Sequence, residues 1–211
     1  MTARTRPIVA AFDFDGTVTS SDSLFPFLRF AAGPSRFLIK MTASLPVLAG
    51  YAVGATPNDI AKERVLQRFF AGVPIATLNI IGVKFARERL PQLVRPEALR
   101  RLQWHREQGH RCILISASLQ LYLQPWASTV GFDDVIGTEL ELRAGQVATG
   151  CFAQGNCHGA EKVRRLEQLL GLRDGYYLYA YGDSRGDREL LATADTAYYR
   201  TMPAPGEGAP S

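Results

Sequence analysis

An apolar run that ends in two aspartates constrains this chain more than any other feature. Residues 7–14 read PIVAAFDF, and Asp15, Gly16 and Thr17 follow directly. The unbroken apolar stretch Ile8 to Phe12, with turn-forming residues behind it, predicts a buried strand over 7–14. Alternation along a strand puts Asp13 and Asp15 on one side and Phe12 and Phe14 on the other. Two carboxylates this close repel each other, and burying either is costly. The pattern is explained by a divalent cation that replaces repulsion with shared attraction, or by an Asp-rich turn that caps a helix. The carboxyl end of a strand is where open α/β sheets bind ligands, and Gly16 lets the backbone turn sharply there.

Three further segments share the look of a buried strand: RCILISAS (111–118), DVIG (134–137) and YYLYAYGD (176–183). Helical patterns lie between them, RPEALRRLQWHREQG from Pro96 to a stop at Gly109 and GAEKVRRLEQLLG to a stop at Gly171, with GDRELLATA as a short last helix. Strands alternating with helices predict an α/β fold with a parallel sheet covered on both faces. TELELRAGQVATG (138–150) reads as a hairpin with Ala144-Gly145 at its turn. From about Thr19 to Arg95 no strand is convincing. Four helices are expected there, at 22–32, 35–53, 57–71 and 75–93, with prolines near three starts. The expected organisation is an α/β core of 1–18 and 96–200, a helical insert of 19–95, and a disordered Pro/Gly-rich tail of 201–211.

Charge is uneven. Ten Lys/Arg and four Asp/Glu fall between Thr19 and Arg95, whereas the rest is slightly acidic and the whole chain carries +4. A basic insert beside an acidic core suits an anionic partner, or simply solvated helix faces. Aromatic residues do not interleave with the basic ones along a groove, so no nucleic acid is expected. Three cysteines in 211 residues make no disulfide framework and fit a reducing, cytoplasmic setting. The basic N-terminus does not read as a signal peptide, because aspartates interrupt the apolar stretch behind it.

Three more positions carry chemistry. Gly182 and Asp183 end the apolar stretch Tyr177 to Tyr181, with Asp187 four residues on, and in a parallel sheet this tip lies beside that of the first strand. Carboxylates from two strand tips make an oxygen site suited to Mg2+. Ser116, at the tip of CILIS, either binds a phosphate oxygen or caps a helix. Lys162 stands near the start of its helix, where it opposes the helix dipole unless something anionic is near. Cys151, Cys157 and His158 form a weak metal-ligand group with no evident fourth member.

Taken in order, the D-x-D-G-T string at Asp13–Thr17, Ser116 after a strand, Lys162 opening a helix and G-D-S-x-x-D at Gly182–Asp187 resemble the haloacid dehalogenase superfamily, in its phosphoserine-phosphatase-like branch. The resemblance implies a Rossmann-like core with an inserted helical cap and phosphomonoester hydrolysis through an aspartyl phosphate. It implies Asp13 as nucleophile and Asp15 as acid and base. It implies Mg2+ held by Asp13, the Asp15 carbonyl and Asp183, with Asp187 in support, and Ser116, Lys162 and Thr17 on the phosphoryl group. Relatives that hydrolyse phosphoserine carry a glutamate nine residues past the nucleophile. Asp22 stands there in this chain, as a substrate contact or as a helix cap. Transfer to an alcohol acceptor and a phosphate-binding module without turnover are the alternatives.

The resemblance implies as substrate a phosphorylated small molecule or a phospholipid head group. The string GCFAQGNCHGAEKVRRLE is similar to branch members that act on lipid phosphates such as phosphatidylglycerophosphate. From Met41 to Asn58 no residue is charged, and Arg36 and Lys40 lie just before. The segment is too broken by Pro46, Gly50 and Gly54 for a spanning helix. It reads as a buried cap helix, a dimer contact, or a peripheral contact with the inner face of a membrane.

Overall fold

The computed structural model describes residues 6–207. The basic residues 1–5 and the end of the tail, 208–211, lie outside the described residues. A five-stranded, wholly parallel sheet forms the centre, in the order β3-β2-β1-β6-β7. Its strands are β1 (Ile8–Phe12), β2 (Arg111–Leu119), β3 (Asp134–Thr138), β6 (Tyr177–Gly182) and β7 (Thr196–Tyr199). Strand β1 is central and pairs with both β2 and β6.

Side-chain alternation sorts the sheet into two faces. Ala10, Phe12, Cys112, Leu114, Tyr179 and Tyr181 join one core cluster, while Val9, Ala11, Ile113, Ile115, Leu178 and Ala180 join the other. The first face is covered by α5 (Pro96–Glu107) and α6 (Gln120–Val130), through Leu102, Leu123 and Trp126. The second is covered by α7 (Ala160–Leu170) and α8 (Arg188–Thr193), through Leu166 and Leu190. Both faces are dry, which is why the strands read as continuous apolar runs.

Between β1 and β2 the chain forms α1 (Leu24–Ala32), α2 (Pro34–Ala52), α3 (Asn58–Phe70) and α4 (Ile75–Glu88). The four expected helices are therefore present, although the last stops at Glu88 and a short 3-10 turn follows at Leu90–Gln92. They enclose an aromatic cluster of Phe27, Phe70, Phe85 and Tyr122. No helix of the described residues is long and apolar enough to cross a membrane.

The hairpin is β4 (Leu140–Arg143) with β5 (Val147–Phe152). Its loop is three residues, Ala144 to Gln146, and not the expected two; both Gly145 and Gln146 take positive φ. The hairpin packs on the helical insert. Ile75 N–H donates to Gln146 O at 2.9 Å, Phe152 N–H to Glu63 Oε1 at 2.7 Å, and a β-carbon at Gly150 would strike the α3 backbone at Gln67.

The described part of the tail departs from the expectation of disorder. Arg101, fully buried in α5, donates to Ala204 O at 3.0 Å and Glu207 O at 3.1 Å, and Pro203 is buried. A buried guanidinium needs acceptors, and the tail backbone supplies them.

Candidate active site

The chain leaves the sheet at Phe12, earlier than expected, and Asp13 through Thr17 form a tight loop in which Gly16 has φ 81°. Asp13 N–H donates to Tyr181 O at 2.9 Å, so the loop is tied to the neighbouring tip of β6. Phe14 still points into the core, and both Asp13 and Asp15 still face one cavity.

Asp13, Asp183 and Asp187 each offer a carboxylate oxygen, and these atoms lie within 4.8 Å of one another. Lys162 crosses beneath them with 2% exposure, donating to Asp13 Oδ1 at 2.5 Å and Asp187 Oδ1 at 2.6 Å. The other oxygen of Asp187 accepts from Ser184 N–H at 3.0 Å and Ser184 Oγ at 2.8 Å. Protein donors thus engage both Asp187 oxygens, and it supports the cluster from behind. Thr17 Oγ1 lies 3.5 Å from Asp183 Oδ1, so its hydroxyl faces a carboxylate and does not line the cavity.

The titration behaviour follows from burial. Burial pushes Asp13 up to about 7, against the pull of Lys162, with Asp187 and Asp15 adding repulsion. Asp183 is raised by burial and by Asp187. Burial also opposes charge on Lys162 and Asp187, but there the opposite charges outweigh it, raising the lysine and lowering the aspartate. One ammonium leaves the acidic cluster under-compensated. Its donors are all oxygen, and Gly16 gives way to the Asp183 carboxylate, which any β-carbon there would strike. These residues fit Mg2+, which takes carboxylate oxygens and keeps waters.

Asp15 turns away from that cluster. It accepts from Ser23 N–H at 2.8 Å and makes a short hydrogen bond with Ser118 Oγ. Burial, and then Asp22, raise it to about 6. Ser116 is buried at the tip of β2, lines the cavity, and its Oγ accepts from Ser118 N–H at 3.0 Å. Asp22 also lines the cavity, and its carboxylate accepts from Leu24 N–H at 2.8 Å and Phe25 N–H at 3.4 Å, which caps α1.

The cavity has a volume of about 770 Å3. The sheet tips form its polar floor, and Leu24, Phe25, Leu48, Tyr51 and Val65 of the insert form an apolar roof. Sequence reasoning missed two contributors. Ser118, two residues past Ser116, hydrogen-bonds the Asp15 carboxylate. Lys62, on α3, reaches across to donate to Ala117 O at 2.6 Å, and burial lowers it to about 8 against the pull of Asp15 and Asp22. No motif flags either residue, since each acts only once insert and core are brought together. Among the described residues, only the three aspartates bring metal-ligating atoms together. Cys151, Cys157 and His158 do not; the Cys151 sulfur accepts from Gln67 Nε2 at 3.0 Å instead.

Comparison with known proteins agrees with this architecture. The chain is 34% identical to protein CicA of Caulobacter vibrioides over 194 residues, covering 92% of this chain and 86% of the other. It is 26% identical to a Mycobacterium tuberculosis protein described as a probable phosphatase, covering 86% of this chain and 64% of that one. A Bordetella pertussis structure of unknown function superposes with TM-score 0.80 at 24% identity, covering 92% and 89%. A substrate-bound phosphoserine phosphatase shares the fold with TM-score 0.59 at 12% identity, covering 93% and 87%. The family model for haloacid dehalogenase-like hydrolases matches residues 10–192. The chain therefore belongs to the haloacid dehalogenase-like hydrolase family, in the part of it that shares its fold with the phosphoserine phosphatases.

Proposed function

We propose that this chain is a Mg2+-dependent phosphomonoester hydrolase that works through an aspartyl phosphate on Asp13. The observation that carries the reading is the convergence of Asp13, Asp183 and Asp187 on Lys162 at the floor of one cavity. Lys162 fixes the Asp13 carboxylate, which attacks phosphorus as the ester P–O bond breaks. Asp15, raised to about 6, is available in both protonation states near neutrality. It gives its proton to the leaving oxygen, and then takes one from the water that attacks the phosphorus of the aspartyl phosphate, releasing inorganic phosphate. Ser116 Oγ and Lys162 Nζ hydrogen-bond the phosphoryl oxygens. Asp13 and Asp183, with the Asp15 carbonyl, would hold Mg2+, which when bound supplies cancellation of the spread negative charge.

The substrate is a phosphorylated small molecule or a phospholipid head group. The apolar roof favours a leaving group with an apolar body, and Lys62 favours one that is not cationic. Free cysteines fit a cytoplasmic enzyme. The test is phosphate release by the purified protein with and without Mg2+, on phosphoserine, sugar phosphates, lysophosphatidate and phosphatidylglycerophosphate. Asp13→Asn is expected to abolish turnover with every active substrate, and appreciable residual release by that variant contradicts the assignment.

A further inference from the structure

Helix α2 has two faces, and only one of them is covered. Phe37, Met41 and Leu48 pack against the core and Ser44 is buried. The opposite face carries Leu38, Ile39 and Leu45, which are 64%, 67% and 58% exposed, and Val53, just past the helix end, is 80% exposed. Thr42, Pro46 and Ala49 complete it, all exposed. The Thr42 hydroxyl does not serve solvent, because it donates back to Leu38 O and Ile39 O of its own helix. A helix face that meets water normally carries charges, yet from Met41 to Asn58 there are none. Contiguous exposed apolar surface of this kind marks an interaction site.

Charge decides between occupants. Arg36, in the first turn of α2, is exposed, as is Arg29 near the end of the preceding helix, and among the described residues neither forms an ion pair. Between Asp22 and Asp59 the chain has no acidic residue at all. A second copy docking through the same face brings no carboxylate to those arginines. An anionic bilayer surface supplies both an apolar layer for the leucines and isoleucine and negative head groups for the basic end. Leu48, on the covered face, lines the catalytic cavity together with Tyr51 and with Phe25 of α1, so α2 stands between the cavity and the exposed apolar face.

We propose that the outer face of α2 docks on an anionic bilayer surface. The docking stands on the exposed face and its charges, and does not depend on the phosphomonoesterase reading. The experiment is co-sedimentation of the full chain with phosphatidylglycerol-containing vesicles and with pure phosphatidylcholine vesicles, at low and high salt. Hydrolysis of the soluble ester p-nitrophenyl phosphate is measured on the same samples. Binding is expected to anionic vesicles only, weakened by salt, and reduced at least tenfold in the Leu38→Glu/Ile39→Glu variant and several-fold in Arg36→Glu. Both variants should hydrolyse the soluble ester as the parent does, since none of these residues lines the cavity. An active protein that fails to sediment at low salt overturns the proposal. So does binding indifferent to lipid charge, and so does a concentration-dependent dimer that the double variant abolishes without any vesicle binding. Vesicle binding by a protein inactive on every phosphoester leaves the docking intact and overturns the hydrolase reading instead.

Discussion

Lys162 Nζ stands 2.5 Å from Asp13 Oδ1, and both side chains are almost wholly buried. The same ammonium serves Asp187 at 2.6 Å, so a single cation links the end of β1 to the turn after β6.

Removing one partner from such a buried cluster leaves unpaired charge. Lys162→Met is expected to destabilise the metal-free protein by about 3–5 kcal/mol. It should also lower kcat on the order of 10²–10³, as loss of one preorganised donor does. Denaturant titration and steady-state rates measure the two effects. Lys162→Arg should not restore activity, because a planar fork does not reproduce a point charge shared by two carboxylates. Near-parental rates in either variant contradict the role given to this residue.

Mg2+ should stabilise the folded chain by binding it and not the unfolded one, by about 2.7 kcal/mol at a hundred times the dissociation constant. Thermal unfolding is expected to move upward with Mg2+ and back with a chelator. Asp183→Asn should fold and lose most of that response. A full Mg2+-induced shift in Asp183→Asn would place the ion elsewhere.

Gly16→Ala addresses the close approach of the loop to Asp183. Gly16 has φ 81°, and its β-carbon would strike the Asp183 carboxylate. The substitution is expected to cost about 1–3 kcal/mol in backbone strain, together with a loss of Mg2+ stabilisation. Alanine at exposed Gly72, φ 84°, meets nothing within 4 Å and is the control for the strain alone. Calorimetry of both variants with and without Mg2+ separates strain from collision.

A buried polar chain gives stability a pH dependence away from the catalytic cavity. Arg101 Nε–H donates to the Tyr181 hydroxyl at 2.7 Å, which lies 2.7 Å from His105 Nε2, while His105 Nδ1 lies 2.8 Å from His110 Nδ1. One set of protons satisfies every atom: Tyr181 donates to His105, and His105 donates to His110. Burial, then Arg101 and His110, hold His105 neutral, with its titration pushed down to about 2. The unfolded chain takes up that proton near pH 6.5. Stability is therefore full above about 6.5 and is lost as pH falls, by up to about 1.4 kcal/mol per unit. Denaturant midpoints between pH 7 and 5 should fall in the parent and fall less in His105→Gln. Parallel slopes would count against a neutral buried His105.

The sheet was legible wherever a strand is buried on both faces, because β1, β2 and β6 read as unbroken apolar runs. Strand β7 was missed: four residues, alternately half-buried and exposed at the sheet edge, carry too little pattern. Helix α6 was missed because Pro125 interrupts it and no acidic or basic residue marks its ends. Asp13, Ser116, Lys162, Asp183 and Asp187 stood at strand tips or a helix start, so topology alone brought them together. Thr17 differed because its hydroxyl lies nearer Asp183 than the cavity, whereas Asp22 caps α1, one of the two roles its position offered. Lys62 and Ser118 depend on how the insert seats against the core, which local spacing does not encode. The described tail was misread because its composition is that of a loose segment, while its order comes from Arg101 needing acceptors.

The hairpin β4–β5 grips α3 with its backbone, and the chain leaves β5 for the segment that bears Asn156, His158 and then Lys162. One stretch of polypeptide thus touches the roof at Phe152 and supplies the ammonium that steadies Asp13 at the floor.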